Sequence, residues 1–288
     1  TYTVQTGDTL GSIAARQGTS VSAILGANPQ ITNPNVIRVG QQLFLPSCDA
    51  PVGAASAPPA GNTAYFPPLT PAPAKPADLS PEIWQRVHDA TITIRHPIER
   101  PMFSGSGVIV GEDGRTFLTA YHVIGNPMTG EEAERVLIGP YGDWTYTADV
   151  IVTDPSLDLA VLRVREPDFP GFGVAPLGSS MKLGMGAPIY TLSYPGLDAA
   201  LVPGKGSYLM ELMTYQNRAP LILTDAHADF GSSGGVAVNN RGEVIGIITA
   251  GIMSREAIEM LGYSGLERAT LLVPIEAAWG LLEEAGVR

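Results

Sequence analysis

The chain has 288 residues, long enough for one large domain or two modest ones with proper cores. Its hydrophobic content of 44% and charged content of 16% exclude a chain that is disordered throughout. The net charge of -11 comes without basic clusters, which argues against nucleic acid or an anionic membrane as partner, and no apolar run reaches the roughly 18 residues of a spanning helix.

Residues 1–48 read as strand, helix, helix, strand. Residues 2–5 alternate, Asp8 or Thr9 can cap a first helix over residues 10–17, and Gly18 stops it. Ser20 can cap a second helix over residues 21–28, and residues 41–46 close with a strand that ends at Pro46. Ile13, Val21, Ile24, Leu25, Ile37, Leu43 and Leu45 are the available core of a small α+β (βααβ) unit. Arg16 and Arg38 against Asp8 leave it near neutral. Tyr2-Thr3-Val4, Gly7-Asp8-Thr9-Leu10, Ile13-Ala14, Ala27-Asn28-Pro29, Ile37 and Gly40-Gln41 make this segment resemble the lysin-motif (LysM) family. The resemblance implies a shallow groove for N-acetylglucosamine polymers, peptidoglycan or chitin, built from Gly7, Asp8, Thr9 and Leu10 on one loop and Pro29, Ile31 and Asn33 on another. Gly11 stands where the family often places a Trp, which weakens the sugar stacking to be expected.

Cys48 is the single cysteine, so it is either an incidental thiol or the anchor of an intermolecular disulfide. Residues 49–78 hold nine Ala and eight Pro, a composition that sustains no helix or strand period and reads as a linker. Fully extended, it would reach about 90 Å at about 3.1 Å per residue. No charged and apolar leader precedes Thr1, so any export signal is expected to have been removed or never present.

Residues 79–288 carry the whole of the net negative charge, since residues 1–48 and 49–78 cancel. They open with a helix pattern over residues 80–90 and continue in short strands broken by Gly and Pro. Residues 91–96, 105–111, 115–124, 145–153, 159–164, 187–194, 220–226, 235–240, 243–249 and 269–275 each read as a strand. A closing helix is predicted over residues 275–286. The spacing predicts a mainly β sandwich or barrel.

The stretch Phe230-Gly231-Ser232-Ser233-Gly234-Gly235 is either a glycine-softened turn or the seat of a nucleophilic serine. Gly231-x-Ser233-x-Gly235 also fits the nucleophile elbow of α/β-hydrolases, but that fold needs a histidine after the serine, and the last of the four histidines is His227. His122 lies in the apolar run 117–124, where an imidazole needs a hydrogen-bond partner; Asp158 heads the apolar run 159–164 and needs a donor. Each can satisfy the other. Asp154, followed by Pro155, reads as a turn residue.

The order His122, Asp158, Ser233 is that of chymotrypsin-type proteases. With residues 104–111, 117–124, 154–164, 192–196, 223–247 and 271–275, the segment resembles trypsin-like peptidases of the HtrA/Deg type. The resemblance implies a chymotrypsin-like double β-barrel and a serine endopeptidase acting on protein or peptide. His122 would be the base, Asp158 its orienter and Ser233 the nucleophile, with the Gly231 and Ser233 N–H groups as the oxyanion hole. It further places His227 at the base of the specificity pocket, with Ile248, Thr249, Ala250 and Gly251 as walls; a histidine there favours an acidic or polar residue before the cut, selects small ones, or only packs locally.

Ser232 replaces the Asp of digestive members and the Asn of Deg members, which excludes activation by an ion pair to a new amino terminus. No PDZ domain follows the closing helix pattern, so PDZ-based regulation is not expected. His88 and His96 have no comparable partners and read as surface or packing residues, and the histidines and cysteine lack metal-ligand spacing, so neither metal nor cofactor is expected. Together the two resemblances imply a secreted or wall-associated endopeptidase held on a glycan. The alternatives are a catalytically silent, glycan-binding scaffold and an esterase or transpeptidase on the same frame.

Overall fold

The computed structural model describes residues 1–5, 13, 24, 27–28, 38, 40–45, 76–95, 104–126, 130–139, 146–167, 169, 171–195, 201–213, 220–229 and 231–288. The chain divides into two compact units, Thr1–Tyr65 and Phe66–Arg288. In the first, β1 (Tyr2–Thr3) pairs antiparallel with β2 (Gln42–Leu43), Tyr2 opposite Leu43. Val4, Leu43 and the helical Ile13 and Ile24 form its buried cluster. Asn28 ties helix to strand. Its buried Nδ2 donates to Ile24 O at 2.6 Å and Phe44 O at 2.7 Å, and its Oδ1 accepts from Phe44 N at 2.8 Å. The groove residues Gly7, Asp8, Thr9, Leu10, Pro29, Ile31 and Asn33 lie outside the described residues, as do Val21, Leu25, Ile37 and Cys48.

The second unit opens with α1 (Pro81–Ala90), where Pro81 needs no N–H partner and Ser80 Oγ caps Ile83 N at 3.2 Å. Among the described residues, twelve strands follow. β3 (Thr91–Arg95), β4 (Ser104–Ile109), β5 (Thr116–Thr119), β6 (Arg135–Gly139), β7 (Tyr146–Asp154) and β8 (Leu159–Val164) close one antiparallel barrel in the order β3-β4-β5-β8-β7-β6. β9 (Pro188–Ser193), β10 (Val202–Leu212), β11 (Leu221–Thr224), β12 (Val236–Val238), β13 (Val244–Ile252) and β14 (Ala269–Pro274) close the other as β10-β11-β14-β13-β12-β9. Closure leaves no unpaired edge, which is how all-β architectures avoid edge-to-edge association. The unit is a mainly β double barrel, in keeping with the predicted strand spacing.

Among the described residues, three further short helices occur: α2 (Tyr121–Ile124), α3 (Arg255–Met260) and α4 (Trp279–Glu284), the last continuing a 3-10 turn over Ile275–Ala278. One buried cluster joins the barrels, with Val108, Leu118 and Val161 from the first meeting Leu192, Val236 and Val273 from the second. Trp84 and Val87 of α1 and Leu281 and Leu282 of α4 seal it, each aliphatic side chain contributing about 1.5–3 kcal/mol by burial. Among the described residues, no helix is long and apolar enough to cross a membrane.

Two predictions of local structure are corrected. Residues 115–124 do not form one strand: β5 ends at Thr119, and Ala120 turns the chain into the single helical turn of α2. The Gly125 N–H bonds back to Tyr121 O at 2.8 Å, and Tyr121 N takes Asp158 O at 3.1 Å, so the apolar side chains stay buried without strand pairing. β6 and β10 were not expected. In β10, Gly204 and Gly206 depress strand propensity, but a Cβ at either would lie 2.3 Å from His227 O or 2.2 Å from Ala226 N. The close crossing of residues 225–227 over this strand requires the glycines.

Candidate active site

Strand register brings His122 to Asp158. In the β5–β8 ladder Thr119 opposes Ala160, and the same register carried forward sets residue 121 against residue 158. His122 Nδ1 lies 2.8 Å from Asp158 Oδ2 and 3.0 Å from Oδ1, while the His122 backbone N–H donates to Oδ1 at 3.0 Å. Thr249 Oγ1 of β13 donates to Oδ2. Asp158 is the sole non-glycine among the described residues with a left-handed backbone, φ 56°, a conformation Asp tolerates better than most. The preceding turn holds it there: Asp154 Oδ1 accepts from Ser156 N at 2.8 Å, Ser156 Oγ at 2.6 Å and Leu157 N at 3.1 Å. Asp154 is thus the turn residue its Pro155 neighbour predicts.

Ser233 sits in the loop between β11 and β12, pressed against the first barrel. Ser106 N of β4 donates to Ser233 O at 2.8 Å. A Cβ at Gly105 would lie 2.6 Å from Val123 Cγ2 and 2.7 Å from Ser233 O, so the turn that carries His122 and the loop that carries Ser233 meet on one backbone. Gly234 N donates to Ile248 O at 2.8 Å, and Ile248 N to Gly235 O at 2.8 Å. A continuous circuit therefore runs from the Ser233 loop through Ile248 and Thr249 to Asp158 and His122.

The N–H groups from Gly231 to Gly235 divide in two. Ser232 N bonds Asp229 O at 3.0 Å, Gly234 N bonds Ile248 O at 2.8 Å and Gly235 N bonds Ser232 O at 2.9 Å. Among the described residues, the N–H groups of Gly231 and Ser233 donate to no protein acceptor. Gly231 has φ 89°, open to glycine at little cost. Ser232 is turned inward: its Oγ accepts from Ser193 Oγ at 2.9 Å and from Asp229 N at 3.0 Å, a buried neutral link. His122 is joined to Asp158, and among the described residues Ser233 Oγ makes no hydrogen bond to His122.

Residues 105–247 match the family described as trypsin-like peptidase domain, and residues 2–46 match the LysM domain. Among curated proteins, the serine protease HTRA2, mitochondrial, of Bos taurus is 35% identical over 170 residues, 56% of this chain and 35% of that protein. A probable periplasmic serine endoprotease DegP-like of Hahella chejuensis is 30% identical over 208 residues, 72% of this chain and 40% of that protein. Its counterpart in Chlamydia trachomatis is 31% identical over 161 residues, covering 54% and 30%. The chain carries a trypsin-like peptidase domain related to the HtrA/DegP proteases, behind an N-terminal LysM domain. It spans well under half the length of these relatives.

In this peptidase domain His227 lies beyond β11, half-exposed, with its carbonyl held by Thr191 Oγ1 at 2.7 Å. Its Nε2 lies 2.9 Å from Asp229 Oδ2, and Asp229 Oδ1 lies 3.3 Å from Arg268 Nη1. Of the expected pocket walls, Ile248 is buried in the second barrel, Ala250 and Gly251 are exposed, and Thr249 turns its hydroxyl to Asp158. The parts played by Thr249 and Arg268 were not legible in the sequence; a hydroxyl three positions before the end of β13 was the one signal for the former. His88 lies 3.0 Å from Asp89 on the surface of α1, and His96 is outside the described residues. Among the described residues no group of three or more His, Cys, Asp or Glu is arranged to hold a metal ion.

Proposed function

We propose that this protein is a serine endopeptidase of the cell envelope whose LysM domain holds it on peptidoglycan or a related N-acetylglucosamine polymer. Ser233 Oγ attacks the scissile carbonyl, and His122 Nε2 takes its proton and returns it to the leaving amine. Asp158, through Nδ1, fixes the tautomer and stabilises the imidazolium. The Gly231 and Ser233 N–H groups receive the oxyanion, and water then hydrolyses the acyl-enzyme. The observation that carries this reading is that, among the described residues, the N–H groups of Gly231 and Ser233 donate to no protein acceptor while those of Ser232, Gly234 and Gly235 are all bonded. Donors held in place before the reaction need no reorganisation when charge develops, and losing one typically costs about two to three orders of magnitude in rate.

His227, Ile248, Ala250 and Gly251 line the pocket for the residue before the cut. Glycan would be held by Gly7, Asp8, Thr9 and Leu10 together with Pro29, Ile31 and Asn33. The test has two arms: cleavage of an unfolded protein by the native chain and by Ser233→Ala, and co-sedimentation of both with purified peptidoglycan. Native-only cleavage with equal sedimentation is expected. One observation favours a second reading, the absence of a Ser233 Oγ to His122 hydrogen bond. A silent glycan-binding scaffold would sediment and cleave nothing. Apo sites of working enzymes also show loose catalytic bonds that tighten with substrate, so the geometry is compatible with activity.

A further inference from the structure

β13 runs past Thr249 through Ala250 and Gly251, and Gly251 opposes Thr270 of β14. Residues directly opposite in an antiparallel pair send their side chains to the same face. Thr270 sends its Oγ1 to the Ala226 carbonyl at 2.7 Å, so the side of Gly251 that lacks a side chain faces the segment that begins at Ala226 and leads to the Gly231 N–H. On the serine-peptidase reading, on which this inference rests, the gap between these two segments receives the side chain that precedes the scissile bond.

That gap is partly filled. A Cβ built at Gly251 would lie 3.1 Å from Met253 Cε, with Ala269 O next at 3.8 Å. The backbone of Met253 is fixed on both sides: Ile252 pairs with Ala269, and Ser254 Oγ caps α3 by accepting from Ala257 N at 3.2 Å. Its side chain is not, being 45% exposed and having the flexibility of an unbranched thioether. The polar floor offers little to compete. The Asp229 carboxylate already lies 2.9 Å from His227 Nε2 and 3.3 Å from Arg268 Nη1, so these polar groups are partnered inside the cluster and recognition falls to size.

We propose that Met253 is a specificity-determining residue: its thioether covers the space in front of Gly251 and restricts the residue before the scissile bond to small side chains. The test uses the full chain and two peptidyl diphenyl phosphonates that differ only in the side chain before the phosphorus, Ala or Phe, with labelling rates followed by intact mass. The native protein should react faster with the Ala reagent. Met253→Ala should raise the Phe-to-Ala rate ratio about tenfold or more, the range expected when a pocket gains room for several carbons, with the Ala rate little changed. Because Met253 is on the surface, the variant should melt with the native protein. An unchanged ratio with both reagents labelling overturns this inference alone, as does failure of both peptidyl reagents while a small alkyl fluorophosphonate still labels Ser233. Failure of all three reagents overturns the peptidase reading with it.

Discussion

Thr249→Val would test the circuit that links the two barrels at the site. Asp158 accepts from three groups: the His122 backbone N–H at 3.0 Å, His122 Nδ1 at 2.8 Å, and Thr249 Oγ1. Valine keeps the branched shape and deletes only the hydroxyl donor. A hydrogen bond to a charged group contributes about 1.5–3 kcal/mol, and each 1.36 kcal/mol is about tenfold in rate. Asp158 must hold the imidazole steady while it becomes charged, so the loss should fall on the transition state. We expect kcat/KM on a peptide ester to drop about 10- to 100-fold, chiefly in kcat, with KM little altered. Thr249→Ser restores the donor and should recover most of the rate. A valine variant with native kcat/KM, at unchanged melting temperature, would refute the argument that Thr249 positions Asp158.

Three further outcomes follow from the same geometry. Gly234→Ala puts a Cβ 2.1 Å from Ser106 O and 2.2 Å from Thr119 Oγ1 at φ 77°, so we expect a loss of about 3 kcal/mol and a melting temperature lower by roughly 6–12 °C, read by calorimetry. Asn28→Ala strips partners from Phe44 N and O and Ile24 O, at about 1–3 kcal/mol for each stranded group; hydrogen exchange should show the Phe44 amide losing protection while the peptidase barrels keep theirs. Burial pushes the Glu276 carboxyl up, but hydrogen bonds from Ser180 and Ser179 bring it below its ordinary 4.5. A lowered folded value stabilises above 4.5 and is lost as pH falls through it, so the melting-temperature gap between native protein and Glu276→Gln should be full near neutrality and shrink below pH 4.5.

Ten of the twelve barrel strands announce themselves as short apolar runs between turn residues, because strand pattern is a local property. β10 does not, since its glycines serve residues 225–227 crossing above it, a contact made by residues distant in sequence. The one-turn helix of α2 was hidden for the opposite reason. Apart from His122, its residues from Tyr121 to Ile124 are as apolar as a strand, and only the bond from Gly125 N back to Tyr121 O reveals the helical turn. His122 and Asp158 could be matched from the sequence because each is a polar group in an apolar run that needs a partner. Thr249 and Met253 could not: a threonine and a methionine have unremarkable places in a strand end, and their neighbours are set by the β13–β14 register and by the meeting of the barrels.

The central claim is an activated serine at position 233, and intact mass after treatment with a fluorophosphonate tests it most directly. The account predicts one added phosphonyl group on the native protein and none on Ser233→Ala. A folded native protein that stays unlabelled while a control peptidase reacts would contradict it, and would leave glycan binding as the function to pursue.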